Sequence, residues 1–323
     1  MTGILAALSE RVPLLTDSAT GTWFQQRLGV AHVGGECCDQ YNVTAPDLVR
    51  ELYRAKVAAG CEVILTNTFN STPLRLCEFG LESEADRFNQ AGVNLLREVA
   101  GEAGREIYVG GNVGPTGKLV GQSATYDEVM DSMLSQIRAL VRAGADLLCI
   151  ETMLQALEAQ IAVEAAREVF AEEGRSVPLY VTFAFMNRPE GKSDSFRTFF
   201  GETVRHLMEG NTDLLAEREF VGAVRLGVDV VGANCTIGVE DAIAVTDEFS
   251  RYLDAHGLAG RIWISAKPNS QVMATMSYED PEFAASRLPR LVGAGAHLVG
   301  YCCGSMPEHI AATALRRRAL LGF

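Results

Sequence analysis

The sequence predicts a single (β/α)8 barrel, the TIM-barrel fold, that forms one domain over residues 1–323. Eight short apolar runs alternate with amphipathic helical stretches, and near-continuous apolar runs are typical of strands buried on both faces of a parallel sheet. Alternation of strand and helix indicates right-handed βαβ units. No linker or change of composition divides the chain. We therefore favour one closed barrel, with an open, doubly wound sheet as the alternative.

The predicted strands are short and rich in Val, Ile and Leu. In chain order they are Val12–Asp17, Cys61–Phe69, Ile107–Asn112, Ala145–Glu151, Pro178–Phe185, Asp229–Cys235, Arg261–Lys267 and Ala296–Cys303. Between them, apolar residues recur at the spacing of amphipathic helices. These helical stretches include Pro46–Ala59, Tyr126–Ala143, Leu154–Glu173, Val239–Ala255 and Pro281–Val292.

A glycine precedes the second, fourth, sixth and eighth predicted strands. Each of the four stands where a helical stretch ends, at Gly60, Gly144, Gly227 and Gly295. A glycine just after a helix commonly adopts the left-handed backbone conformation that ends it. We predict that conformation at all four positions, which gives the chain a repeat of two βα units.

Two segments are longer than a bare barrel needs. Gly29–Thr44 follows the first strand, and Met186–Phe200 follows the fifth. Both lie after the carboxyl ends of strands, where barrel enzymes carry their substrate loops. We predict extended loops there.

The charge and composition exclude several classes of protein. The chain has 28 Lys and Arg against 41 Asp and Glu, a net charge of −13, which disfavours binding to nucleic acid or to an anionic membrane surface. No apolar run approaches the roughly 20 residues that span a bilayer. The segment Met1–Pro13 lacks the pattern of a secretory signal. With eight cysteines and no such signal, a reducing cytoplasm is the expected location.

Polar residues and thiols stand at the carboxyl ends of the predicted strands. In a barrel these ends form one mouth, where the chemistry of such enzymes takes place. The residues at those ends are Asp17, Asn67, Asn112, Glu151, Asn234, Cys235, Lys267, Asn269, Cys302 and Cys303.

Three of these residues are cysteines, at the ends of the sixth and eighth strands. Cys235, Cys302 and Cys303 would lie close together in a closed barrel. Three thiolates suit a tetrahedral Zn²⁺ site whose fourth position is open to a substrate thiol, which is the catalytic arrangement. Buried cysteine is also a common small apolar residue. The spacing leaves both interpretations open, because it contains no close-spaced zinc motif.

Seven motifs follow one another along nearly the whole chain. They are Thr16–Thr22, Ile64–Phe69, Gly111–Gly117, Asp146–Thr152, Gly232–Cys235, Lys267–Asn269 and Val299–Ile310. This ordered set, from about Leu14 to His309, resembles the homocysteine S-methyltransferase family.

The resemblance implies a fold, a reaction and a set of roles. The family fold is a (β/α)8 barrel, and its reaction moves a methyl group onto zinc-bound homocysteine to give methionine, in methionine biosynthesis. The implied zinc ligands are Cys235, Cys302 and Cys303. The implied partners of the substrate ammonium are Asp17 and Glu151. Backbone N–H groups in a small-residue turn would hold the substrate carboxylate, at Ser18, Ala19, Thr20, Gly21 and Thr22. Asn67 and Asn234 would orient backbone or substrate, or serve as turn residues.

Two departures from the family pattern concern the acceptor. Ser18-Ala19 follows Asp17 where the family commonly has Gly-Gly or Gly-Ala, and Tyr301 replaces the second glycine of Gly-Gly-Cys-Cys-Gly. A side chain after Asp17 would either narrow the pocket or shift the substrate carboxylate. The Tyr301 phenol would either shape the pocket or, by alternation along the strand, point out of the barrel.

The methyl donor and the exact reaction stay open at this point. The donor is either a small sulfonium, S-methylmethionine or S-adenosylmethionine, or a methyl-corrinoid or methyltetrahydrofolate acting through a partner protein. One alternative keeps the mechanism with another thiol or a selenol as acceptor. Another is a zinc-binding or redox-sensing barrel without catalysis. A third is a zinc-free lyase that uses Lys267 as an amine nucleophile.

Overall fold

Eight parallel strands form one sheet in the computed structural model, which describes residues 3–10, 13–29, 37–186, 196–211, 220–272 and 276–322. The strands, here β1 to β8, are Leu14–Leu15, Val63–Leu65, Tyr108–Val113, Leu147–Met153, Leu179–Phe183, Val230–Asn234, Trp263–Lys267 and Leu298–Val299. Each pairs with its neighbour in chain order, and β1 pairs with β8.

The seam between β1 and β2 brings the sheet close to a closed barrel. The Glu62 backbone N–H donates to the Leu15 carbonyl at 2.7 Å, and the Leu15 N–H donates to the Glu62 carboxylate at 2.9 Å. The predicted (β/α)8 barrel is therefore confirmed. Each of the eight predicted apolar runs overlaps a barrel strand, and the third and fourth strands extend one and two residues beyond their runs.

Helices surround the sheet. In chain order they are α1 (Ile4–Leu8), α2 (Thr20–Leu28), α3 (Tyr41–Thr44), α4 (Pro46–Ala59), α5 (Pro73–Leu76), α6 (Ala85–Glu102), α7 (Tyr126–Arg142), α8 (Ala156–Glu173), α9 (Val204–Glu209), α10 (Ala223–Leu226), α11 (Val239–Ala255), α12 (Pro281–Ser286), α13 (Leu288–Gly293) and α14 (Pro307–Leu321). Short antiparallel strand pairs follow β5 and β7. They join Phe185–Met186 to Arg197–Thr198, Gly210–Asn211 to Phe220–Val221, and Gln271–Val272 to Ser277–Tyr278.

The four glycines before alternate strands adopt the predicted conformation. Their φ angles are 104° at Gly60, 98° at Gly144, 61° at Gly227 and 105° at Gly295. A side chain is disfavoured in this region, so each glycine lets the chain leave a helix and turn sharply into a strand.

One helical prediction and one turn prediction need correction. Pro281–Val292 is two helices, α12 and α13, because Pro289 has no N–H to continue the helical hydrogen bonds. Within the small-residue turn expected at Ser18–Thr22, Thr20 begins α2, Ala19 is its N-cap and Ser18 precedes the cap. Small residues fit a tight turn and a first helical turn equally well, so composition did not separate them.

Two buried clusters form the core, one inside the barrel and one around it. Ile4 and Leu8 of α1 pack with inward-facing residues such as Tyr180 and Trp263 in one buried cluster. The larger cluster lies between the strands and the surrounding helices. Residues 30–36 and 187–195, at the centres of the two predicted extended loops, lie outside the described residues. Among the described helices, none is long and apolar enough to cross a membrane.

Candidate active site

The strand-end residues converge at one mouth, as the barrel predicts. Each barrel strand except β5 contributes at least one of them, within the strand or in the residues directly after it. They are Asp17 after β1, Asn67 after β2, Asn112 in β3, Glu151 in β4, Asn234 and Cys235 at the end of β6, Lys267 and Asn269 at the end of β7, and Cys302 and Cys303 after β8.

The three predicted metal ligands form one cluster. The sulfur atoms of Cys235, Cys302 and Cys303 all lie within 4.8 Å of one another, and the Cys235 and Cys303 sulfurs are 3.5 Å apart. Cys235 and Cys302 are partly buried and Cys303 is exposed. Within the described part of the chain, these three cysteines are the one group of three or more His, Cys, Asp or Glu side chains close enough together to hold a metal ion.

Backbone hydrogen bonds from β7 and the segment after it hold the cluster. The Cys235 N–H donates to the Lys267 carbonyl at 3.1 Å, and the Cys302 N–H donates to the Pro268 carbonyl at 2.8 Å. The Cys303 carbonyl accepts from Ser270 and Gln271 at 2.9 and 3.0 Å. The thiols thus lie at the ends of β6 and β8, and β7, which pairs with both strands, holds them together.

The backbone beside the thiols is strained. Thr152, Cys235 and Thr236 have φ angles of 61°, 62° and 60°, which lie in the left-handed region that residues other than glycine rarely adopt. Asn234 supports this conformation, since its side chain accepts from the Thr152 N–H at 2.9 Å and donates to the Thr152 hydroxyl at 2.6 Å. Such strain is often stored at functional sites.

Contacts among the three thiols, together with burial, raise the pKa of each of them. The hydrogen bond from Cys302 lowers the pKa of Cys235, but its contact with Cys303 and its burial raise that pKa to about 12. Contact with Cys235 and burial raise the pKa of Cys302 well above its ordinary value. Three thiolates in one place need a compensating cation, and a soft divalent metal such as zinc supplies it. The donor set therefore fits zinc.

A buried network of charged side chains lies beside the cluster. The Lys267 Nζ is 3.1 Å from an oxygen of Asp17 and 3.1 Å from an oxygen of Glu151. The Lys56 Nζ lies 2.7 Å from the other Asp17 oxygen. The Asn112 amide donates to the other Glu151 oxygen at 2.9 Å. Two ammonium groups and two carboxylates thus share one almost fully buried site.

The network favours the charged forms of Asp17 and Lys267. Burial raises the pKa of Asp17, but Lys267 and Lys56 outweigh it and hold that pKa below its ordinary value. Burial lowers the pKa of Lys267, but Asp17 and Glu151 outweigh it and hold that pKa well above its ordinary value. Lys267 is therefore a cation, which argues against the lyase hypothesis, because a nucleophilic lysine must lose its proton.

The two predicted asparagines have different surroundings. Asn234 is fully buried, and its amide points to the Cys302 sulfur at 3.9 Å, so it touches the thiol cluster. The Asn67 amide donates to the Cys38 carbonyl at 2.8 Å and to the Asn42 side chain at 3.1 Å. Asn67 thus ties the segment after β1 to β2, and a role in orienting substrate stays a prediction.

The residues expected to hold a substrate carboxylate lie at the start of α2. No side chain caps the first turn of α2, and such a turn presents N–H groups and the positive end of a helix dipole. The Ala19 N–H donates to the Ser305 hydroxyl at 3.0 Å. The Thr20 and Thr22 hydroxyls accept from Lys56 and from the Gly304 N–H at 2.8 and 3.0 Å. The contacts with Ser305 and Gly304 join the start of α2 to the segment that carries Cys302 and Cys303, and the contact with Lys56 joins it to α4.

A family model for homocysteine S-methyltransferase matches residues 14–316. The chain belongs to the homocysteine S-methyltransferase family. It is therefore a methyltransferase.

Solved structures of the Escherichia coli homocysteine methyltransferase MmuM resemble the whole chain. The oxidized form is 26% identical, covers 98% of this chain and 100% of that chain, and gives a TM-score of 0.70. The metallated form is 24% identical, covers 96% and 98% of the two chains, and has the same fold with a TM-score of 0.69.

Lys56 belongs to the site but was not predicted from the sequence. It is fully buried in α4, on the helix face that also carries Val49, Leu52 and Tyr53. A lysine at a core position of an apolar stripe is the signal that identifies it, since buried lysines require a partner.

The Tyr301 side chain points out of the barrel and does not shape the pocket. Its hydroxyl lies 2.7 Å from the Thr313 hydroxyl in α14.

Several buried polar atoms at the mouth have no hydrogen-bond partner among the described residues. They are the Ser18 and Ser270 hydroxyls and the side-chain carbonyls of Asn112 and Asn269. Unpaired buried polar groups cost about 1–3 kcal/mol each, so a polar ligand or water is expected to satisfy them.

Proposed function

We propose that this protein is a zinc-dependent thiol S-methyltransferase that transfers a methyl group to homocysteine to give methionine. The observation that carries the proposal is the cluster of Cys235, Cys302 and Cys303 at the carboxyl end of the barrel. The family, and the likeness to a homocysteine methyltransferase at 26% identity, support the same reaction.

The three cysteines would hold the zinc. Bound there, the metal would supply the positive charge that keeps an acceptor thiol in its nucleophilic thiolate form near neutral pH. The Lys267 and Pro268 carbonyls hold the backbone N–H groups of Cys235 and Cys302, and the Asn234 amide contacts the Cys302 sulfur. A metallated form of MmuM agrees with metal binding in this family.

The acceptor would lie between the thiol cluster, the charged network and α2. Asp17 and Glu151 would face the substrate ammonium, and the N–H groups of Ser18, Ala19, Thr20, Gly21 and Thr22 would face its carboxylate. The positive end of the α2 dipole favours an anion there. Asn234 would orient the thiol end, and Asn67 would support the segment after β1 that borders the pocket.

The reaction is a displacement at the methyl carbon. The acceptor sulfur forms a bond to that carbon, and the bond from the carbon to the donor breaks, with its electron pair leaving on the donor. A sulfonium donor, S-methylmethionine or S-adenosylmethionine, would depart as a neutral thioether. A methyl-corrinoid or methyltetrahydrofolate would act through a separate partner protein. The residues assigned here create and position the thiolate and admit either donor.

A donor and metal assay tests the proposal. Zinc-loaded protein is mixed with homocysteine and S-methylmethionine, S-adenosylmethionine or methylcobalamin in turn, and methionine is measured by mass spectrometry. We expect methionine with at least one donor, its loss after chelation, and its return on adding zinc. Retained zinc without methylation of any thiol would contradict the proposal and favour the non-catalytic barrel.

The free thiols bear on location and on the acceptor. We propose a cytoplasmic protein, because a chain with eight cysteines suits a reducing compartment. Another thiol or a selenol is the second candidate acceptor. The position of Lys267 between the two carboxylates favours it.

A further inference from the structure

Lys267 lies between the two carboxylates that are proposed above to face a substrate ammonium. Its Nζ bridges Asp17 and Glu151, the two carboxylates of the buried network. The Lys267 carbonyl accepts from the Cys235 N–H, so Lys267 lies directly beside the thiol cluster. Its side chain is only 4% exposed.

The two carboxylates have little capacity for a second ammonium. The Asp17 oxygen that does not face Lys267 accepts from Lys56 at 2.7 Å and from the Leu65 N–H at 3.2 Å. The remaining Glu151 oxygen accepts from Asn112 at 2.9 Å. Each of the four carboxylate oxygens therefore already has a donor.

The balance of charge in the network also disfavours the binding of a further ammonium group. Two lysines balance two carboxylates, and an incoming ammonium would add an uncompensated positive charge to a buried site. Burying an unpaired charge is costly, so a cationic substrate group has to displace Lys267 before it can pair. A thiol that lacks the ammonium meets no such obstacle.

We propose that Lys267 is a specificity-determining residue, and that the enzyme accepts mercaptocarboxylates, thiols with a carboxylate but no α-ammonium group, at least as well as homocysteine. This inference rests on the proposed thiol methylation. In such an acceptor the carboxylate faces the start of α2, the sulfur faces the cysteine cluster, and Lys267 keeps both of its carboxylate partners.

The test compares homocysteine with 4-sulfanylbutanoate, which differs only in lacking the ammonium group. The values of kcat/KM are measured with a donor that supports turnover, for the wild type and for Lys267→Met, Lys267→Arg and Lys118→Met. We expect the wild type to use 4-sulfanylbutanoate at least as efficiently. Lys267→Met is expected to shift the ratio towards homocysteine by tenfold or more, because the substrate ammonium replaces the lost lysine charge.

The other two variants are controls. Lys267→Arg keeps a cation between the carboxylates and should keep the wild-type preference. Lys118 pairs with Glu78 on the surface, so Lys118→Met should leave the ratio unchanged. A wild type that prefers homocysteine tenfold or more, together with an unchanged ratio in Lys267→Met, would overturn the inference.

A binding measurement separates this inference from the proposed function. The midpoint temperature Tm of zinc-loaded protein is recorded with each thiol. Homocysteine should raise the Tm of Lys267→Met more than that of the wild type, and 4-sulfanylbutanoate should not. If neither thiol is methylated, the proposed function fails, while these shifts still decide the role of Lys267. Equal shifts in both proteins would reject it.

Discussion

Replacing Cys302 by alanine is expected to remove the bound metal and to lower kcat/KM for methyl transfer at least ~10³-fold. The Cys302 sulfur lies within 4.8 Å of the sulfurs of the other two cysteines and 3.9 Å from the Asn234 amide nitrogen. Metal assistance is worth several kcal/mol, and each 1.4 kcal/mol is a factor of ten in rate. Metal content and the rate of thiol methylation are measured on the same preparation.

Cys77→Ala is the matched control for this prediction. Cys77 is also a free thiol, but it is exposed and lies outside the cluster. Its replacement should leave metal content and activity unchanged. Equal midpoint temperatures for the metal-free wild type and Cys302→Ala would show that the variant is folded. A folded Cys302→Ala that keeps a full complement of metal and wild-type activity would contradict the assigned site.

Replacing Lys56 by methionine is expected to lower the free energy of unfolding by about 3 kcal/mol at pH 7. Lys56 is fully buried, and its removal takes one of two cations from the buried Asp17 carboxylate. Breaking a buried pair leaves a charge without full compensation, which costs about 3–5 kcal/mol. The remaining contact with Lys267 places the expected effect at the lower end. Urea unfolding measures it.

Arg54→Met in the same helix is the matched control. The pair between Arg54 and Glu102 is about half exposed, so its loss should cost less than about 1 kcal/mol. The pH dependence has a defined sign. Because the pKa of Asp17 is lowered in the folded protein, its contribution is present above its unfolded pKa and lost below about pH 4. Equal losses for Lys56→Met and Arg54→Met at pH 7 would contradict the network.

The barrel could be predicted because its signals are local. Buried parallel strands leave apolar runs, and the chain must turn sharply at Gly60, Gly144, Gly227 and Gly295. The thiol cluster followed from the fold alone, since strand ends meet at one mouth. Cys235 and Cys302 are remote in sequence and become neighbours only through that closure.

The charge network could not be predicted, because it depends on which side chains meet inside the barrel. Sequence reasoning assigned Asp17 and Glu151 to a substrate and gave Lys267 no role in that pairing. The structure places Lys267 between them and adds Lys56 from a helix. The path of the chain after β1 was also undetermined, because small residues are compatible with a turn and with the start of α2.

X-ray absorption at the zinc edge, on anaerobically purified protein, tests the central claim most directly. The spectrum is recorded with and without a saturating acceptor thiol, either homocysteine or 4-sulfanylbutanoate. The account predicts about one zinc per chain, with the number of sulfur ligands rising from about three to about four when the thiol binds. Absence of zinc, or a zinc ligand shell that neither thiol changes, would contradict it.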